Sequence, residues 1–148
     1  MAIIITALLV IWQLREMRRT THAQAFAVAV GILQDEKARE ARKVVFALHS
    51  RQTRSRWTKR EKAAVEVVCY TYDLVGQMVR HGMLPKRIII ESWGPSLRNS
   101  WPVLSRLITE YRGRFAAPEY WDDCEWFAAQ AQTAFRRSSR GPRKHVAR

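Results

Sequence analysis

Residues 58–82 read TKREKAAVEVVCYTYDLVGQMVRHG, and the fold turns on this stretch. Thr58 and Glu61 have the spacing of a capping box, in which each side chain accepts from the other residue's backbone N–H. Gly82 supplies the left-handed stop that L-residues resist. Between them, Lys62, Glu66, Asp73, Gln77 and Arg80 plot within roughly 60° of one another on a helical projection. Almost all the remaining circumference is apolar: Ala63, Ala64, Val65, Val67, Val68, Cys69, Tyr72, Leu74, Val75, Met78 and Val79. A helix apolar on most sides must be covered on most sides, so this segment belongs in the middle of a bundle. The polar strip reads as its solvated edge, with a buried polar cleft as the sharper alternative.

The flanking sequence supplies partners for that centre. Asp35 is placed to cap a helix in which Ala38, Ala41, Val44, Val45 and Leu48 recur at three- and four-residue spacing. A basic polar loop follows from His49 to Trp57. Pro85 opens another helix, which Gly94-Pro95 should break, because proline cannot donate the helical bond and crowds the preceding turn. Leu97, Trp101, Leu104, Ile108 and Tyr111 then form a stripe up to Gly113. A last helix is expected from about Pro118, with Tyr120, Trp121, Cys124, Phe127, Ala128, Ala131 and Phe135 on one face. The short β-branched run Ile88–Ile90 sits among helical signals. The chain therefore reads as all-α, a helical bundle of about five helices with a long N-terminal helix. Residues 20–135 are its bundle domain, and 136–148 form a disordered basic tail rich in Arg, Ser, Gly and Pro.

The beginning of the chain has a different character. Residues 1–12, MAIIITALLVIW, carry no charge, and Arg15, Arg18 and Arg19 follow at once. Apolar run, tryptophan and arginines in that order resemble a membrane anchor meeting an anionic leaflet. A spanning helix needs about 20 apolar residues, however, and this run is shorter. Nor is it a secretory signal, since no basic segment precedes it and no small-residue cleavage site follows. Three readings stand: an anchor whose outer half lies upstream of this start, a segment lying in the interface, or the apolar end of a helix packed in a bundle. The first makes residues 1–19 an anchor with its basic flank. It predicts a single-pass inner-membrane protein with the helical domain in the cytoplasm, on the side where Lys and Arg remain.

Composition narrows the partners. Twenty-six basic residues against 13 acidic give a formal net charge of +13, which calls for a polyanionic partner such as anionic lipid or nucleic acid. Removing residues 136–148 still leaves +7. The candidate contacts are Arg51, Arg54, Arg56, Lys59 and Arg60 around the loop, and Arg136, Arg137, Arg140, Arg143 and Lys144 in the tail. Phe46 and Trp126 fall off the apolar stripes of their helices and are candidate exposed contact aromatics. Cys69 and Cys124 sit in apolar patterns and read as buried thiols. Glu119, Asp122, Asp123 and Glu125 are explained by the macrodipole of a helix start. The chain has no Glu-x-x-His pair, Gly-rich phosphate loop or His-Glu-x-x-His motif. We therefore assign no catalytic or metal-binding residues, no cofactor and no small-molecule substrate.

Several short stretches carry a family resemblance: Ile11–Met17 (IWQLREM), Ala25–Val28 (AFAV), Ala41–Phe46 (ARKVVF), Cys69–Asp73 (CYTYD) and Trp121–Trp126 (WDDCEW). Together they resemble a bacterial domain-of-unknown-function family of short chains with one N-terminal membrane helix and a cytoplasmic helical domain. The likeness covers roughly residues 3–136. It implies placement and fold, names no site residues, and implies a longer apolar segment ahead of Trp12 than this chain shows. The expectation is a membrane-tethered interaction or scaffold protein, able to bind a protein partner or a second copy. The alternative is a soluble nucleic-acid-binding helical module using the basic loop and tail; Trp57 is the one aromatic among those basic residues.

Overall fold

The computed structural model describes residues 2–51 and 57–139. Among them are five helices and no strand: α1 Ala2–Gln34, α2 Glu36–Arg51, α3 Lys59–Arg80, α4 Lys86–Phe115 and α5 Asp122–Ser139. Helix ends follow the local chemistry. The Asp35 carboxylate accepts from Ala38 N, and Arg42 of α2 donates to the Leu33 carbonyl near the end of α1, at 2.5 Å. The capping box is complete, Thr58 Oγ1 accepting from Glu61 N and Glu61 Oε2 from Thr58 N. These bonds to Thr58 hold the Glu61 carboxyl below its usual range. At the far end Gly82 takes φ +73°, with Gly82 N donating to Val79 O and Met83 N to Met78 O. That pair of bonds is the αL stop expected of Gly82.

α3 is the helix on which the others assemble. Val65, Val68, Cys69, Tyr72, Val75 and Val79 are buried, and α1, α2, α4 and α5 all pack against it. α5 comes close to α3 at Gly76, where a Cβ would lie 2.4 Å from the Asp123 backbone oxygen and 3.2 Å from Phe127 Cβ. Two expectations about this helix are corrected. Leu74 is 43% exposed and Tyr70 56%, so an apolar strip of α3 faces outward. The polar strip is not simply a solvated edge, because it joins α3 to α4 and α5.

α4 corrects the expected break. It runs unbroken through Pro95 and Pro102. A proline removes one helical bond, but burial on both sides outweighs that loss here: Ile89, Ile90, Gly94, Leu97, Ser100, Val103, Leu104, Leu107 and Ile108 are all buried. α5 begins at Asp122 rather than near Pro118. Residues 116–121 form turns, with Ala116 at φ 50° and Trp121 at φ 55°. At its other end α5 runs on to Ser139 and so includes Arg136 and Arg137.

The single-pass membrane placement is overturned, since no helix among the described residues is long and apolar enough to cross a membrane. α1 is long enough, but Arg15, Glu16, Arg18 and Arg19 interrupt it after the Ala2–Trp12 run. Its C-terminal part belongs to the bundle, with Ala25 and Phe26 half-buried and Ala29 and Leu33 fully buried. The described side chains before Ala25 are exposed. His22 Nδ1–H donates to the Met83 carbonyl at 3.1 Å and fixes α1 against the turn between α3 and α4.

Candidate functional surfaces

The polar strip of α3 makes one joint after another. Lys62 pairs with Glu110 of α4 at 2.5 Å, and Glu66 accepts from the Tyr111 hydroxyl. The Asp73 carboxylate accepts from Cys124 N at the start of α5, at 2.9 Å. Arg80 reaches Asp122 at 2.8 Å and Asp123 at 3.0 Å. Burial raises the Asp73 carboxyl above its usual range, and Asp123 and Asp122 add to the rise, while the Cys124 bond opposes it. The bond to the Glu66 carboxylate pushes Tyr111 up to about 12. These groups are occupied in holding three helices together.

Beside that joint lies an aromatic cluster that sequence patterning did not reveal. Trp121 is buried, with its ring stacked on Tyr111 at 5.2 Å and edge-on to Tyr70 at 5.3 Å and Tyr120 at 4.7 Å. Phe115 stacks on Tyr120 at 6.0 Å. Arg112 clamps the turn from below, donating to the Tyr120 carbonyl at 3.0 Å and to Glu125 at 2.6 Å. Such ring pairs contribute about 0.5–1.5 kcal/mol each beyond their area. Helical periodicity could not find the cluster, because Tyr120 and Trp121 sit in a turn. Phe115 and Tyr70 leave its outer edge exposed, next to Leu74 one turn further along α3.

The candidate cationic residues fall at two places. Arg51 ends α2 and pairs with Glu61 at 3.3 Å, and Lys59 and Arg60 are exposed in the first turn of α3. Arg54 and Arg56 lie outside the described residues. Trp57 follows, half-buried, with the Arg106 guanidinium 5.0 Å from its ring centre. Trp57, Lys62, Arg106 and Glu110 line a cleft of about 420 Å³. Arg136 and Arg137 are exposed in the last turn of α5, while Arg140, Arg143 and Lys144 lie outside the described residues. Phe135 of that turn meets Arg98 of α4. The two basic places thus attach to α4 about 12 Å apart along its axis.

The two candidate aromatics differ. Phe46 is 39% exposed on α2. Trp126 is half-buried, its ring flanked by Arg80 at 5.9 Å and Lys86 at 5.4 Å, so its outer face already has cationic partners. Cys69 and Cys124 are free, buried thiols, and desolvation raises both, which disfavours the reactive thiolate. Among the described residues, no group of three His, Cys, Asp or Glu side chains is placed to hold a metal ion. The features left for partners are therefore exposed apolar surface and basic charge.

No curated protein and no solved structure matches this sequence. One family profile does, a domain of unknown function designated DUF4760, and it covers residues 1–131. That match spans all of the bundle but the end of α5, and the chain belongs to this family.

Proposed function

We propose that the protein is a non-catalytic docking module that engages an anionic lipid surface with the tip of α1, without crossing it. One observation supports this above the others. Every described side chain from Leu9 to Met17 is exposed, around the whole helix, although Leu9, Val10, Ile11, Trp12, Leu14 and Met17 are large and apolar. A helix apolar on all sides is stable when its surroundings are apolar on all sides. At 1.5 Å per residue, Ala2–Trp12 reaches about 17 Å, roughly half of a hydrocarbon core about 30 Å thick. Trp12 then stands at headgroup depth, and Arg15, Arg18 and Arg19 follow it in sequence among the phosphates. Each basic residue near an anionic leaflet contributes about 1 kcal/mol, and the net charge of +13 favours the same surface.

The test is flotation of the full chain with phosphatidylcholine vesicles, with and without added phosphatidylglycerol. Binding should need the anionic lipid, weaken with salt, and fall about tenfold or more in Ile11→Glu. A mixed-sequence DNA duplex and a single strand are offered as competitors at one ionic strength. Saturable nucleic-acid binding that displaces the vesicles, or vesicle binding indifferent to Ile11→Glu, would overturn the proposal.

A further inference from the structure

The two ends of the bundle expose different chemistry. α1 leaves the bundle at His22, beside Met83 and the C-terminal end of α3. α2 ends at Arg51, which pairs with Glu61 in the first turn of α3. α1 and α2 thus run down the length of α3 in turn, from Met83 to Glu61. The cleft of Trp57, Lys62, Arg106 and Glu110 therefore lies one length of α3, about 30 Å, from the point where α1 emerges. The field of an anionic leaflet falls off within a Debye length, about 8 Å at physiological ionic strength. A leaflet that holds the tip of α1 does not reach the cations at this end, so they are left for a second partner.

We propose that this cleft binds one base of a single-stranded nucleic acid, stacked against Trp57. Its volume of about 420 Å³ lies in the range of small-ligand sites and has room for a base with its sugar. Trp57 is half-buried and packed against the core, so its indole is a fixed wall. The Arg106 guanidinium lies 5.0 Å from the ring centre, on an exposed side chain that is able to move. A base entering the cleft takes that place on the indole, and the guanidinium packs on its other face, because guanidinium planes stack on bases as they do on rings. Glu110 repels phosphate from the cleft itself, yet it accepts from the exocyclic amino group of a base such as cytosine. The phosphates fall instead along the two walls. Lys59 stands three residues before Lys62 on α3, Arg114 four residues after Glu110 on α4, and both are exposed. A flat lipid surface does not enter a cleft, an acidic peptide brings no base to stack, and a duplex keeps its bases inside. The site stands whether or not α1 meets lipid; only the simultaneous binding of both rests on that reading.

The closing experiment is fluorescence anisotropy of short labelled strands of cytosine, and of thymine or uracil, as DNA and as RNA, titrated with the full chain. Saturable binding is expected, tighter for cytosine. Either sugar satisfies the site, and the tighter of the two names the strand. Trp57→Ala should weaken binding about tenfold or more, and Trp57→Phe much less. Arg106→Ala, at an exposed position, should weaken it severalfold with helix content unchanged by circular dichroism. Lys59→Ala should lower the slope of log K against log salt by about 0.7, the value for one single-strand phosphate contact. Arg87→Ala, at the other end of the bundle, should change neither affinity nor slope. The strand should also float with the chain on the phosphatidylglycerol vesicles, while Trp57→Ala floats without it. Ile11→Glu should bind the strand and stay behind, so failure of lipid docking is distinguishable from failure of this site. No saturable binding, binding indifferent to both Trp57→Ala and Arg106→Ala, or a duplex or polyglutamate bound equally well would overturn the proposal. A preference for thymine or uracil would overturn the role of Glu110, and a strand and vesicle that exclude each other would overturn the separation of the two ends.

Discussion

Replacing Gly76 by alanine tests the central contact of the fold. In a free helix this change is favourable by about 0.8–1.0 kcal/mol, because alanine loses less backbone entropy than glycine. Here the new methyl carbon would lie 2.4 Å from the Asp123 carbonyl oxygen, 3.0 Å from its carbon and 3.2 Å from Phe127 Cβ. The nearest of these is backbone, so no rotamer change relieves it, and the start of α5 must move away from α3. That movement pulls on bonds made at the same place, Asp73 to Cys124 N and Arg80 to Asp122 and Asp123. Overpacking of this kind costs typically about 1–3 kcal/mol, occasionally more. Against the helical gain, we expect Gly76→Ala to lose about 1–2 kcal/mol net, toward the upper end of that difference because the strain falls on backbone and on those bonds together. In a domain of this size that lowers Tm by roughly 2–4 °C per kcal/mol. Gly113→Ala is the control, since nothing lies within 4 Å of its Cβ position and it should gain about 0.5–1 kcal/mol. Gly94→Ala, with contacts of 3.4 Å to Ala131 Cβ and Ile90 Cγ2, should fall between the two. Thermal melts followed by circular dichroism give the ranking. A Gly76→Ala melt equal to or above that of the native chain would refute the packing of α5 on α3.

The other expectations concern the two faces of α3. Val68→Asp, at a buried position, should cost more than about 4 kcal/mol and unfold the domain in a denaturant titration, whereas the exposed Leu74→Asp should cost about 1 kcal/mol or less; equal costs would mean that the helix is rotated from its assigned orientation. Burial raises the folded-state pKa of Asp73, with Asp123 and Asp122, themselves paired with Arg80, adding to it and the bond from Cys124 N opposing it. A raised carboxyl contributes stability that is full below its unfolded pKa and lost as pH rises through the folded value. The stability of Asp73→Asn relative to the native chain should therefore improve between strongly acidic and neutral pH, and a change in the reverse direction would show that the carboxylate is better stabilised folded than unfolded.

Much of the fold is legible in the sequence because it is decided locally. The Asp35 and Thr58–Glu61 caps, the Gly82 stop and the apolar periodicities of α2 and α3 act within one or two turns, so residue order alone sets them. The basic bias and the uncharged opening run are likewise properties of composition. What the sequence could not decide depends on residues far apart along the chain. Gly94-Pro95 looks like a helix break until α5 is seen to pack on it, Ala131 lying 3.4 Å from the Gly94 Cβ position. Leu74 looks like core and Asp73 like a solvated strip until α5 covers the polar side and leaves the apolar one open. The aromatic cluster needs Tyr70, Tyr111 and Trp121 from three separate regions. The same division holds for α1. Its sequence specifies a long helix with an apolar first third. Only the tertiary packing shows which side the bundle takes, because burial is decided by the elements that meet a helix face, and Phe26, Ala29 and Leu33 meet theirs while the described side chains from Leu9 to Met17 are left without one.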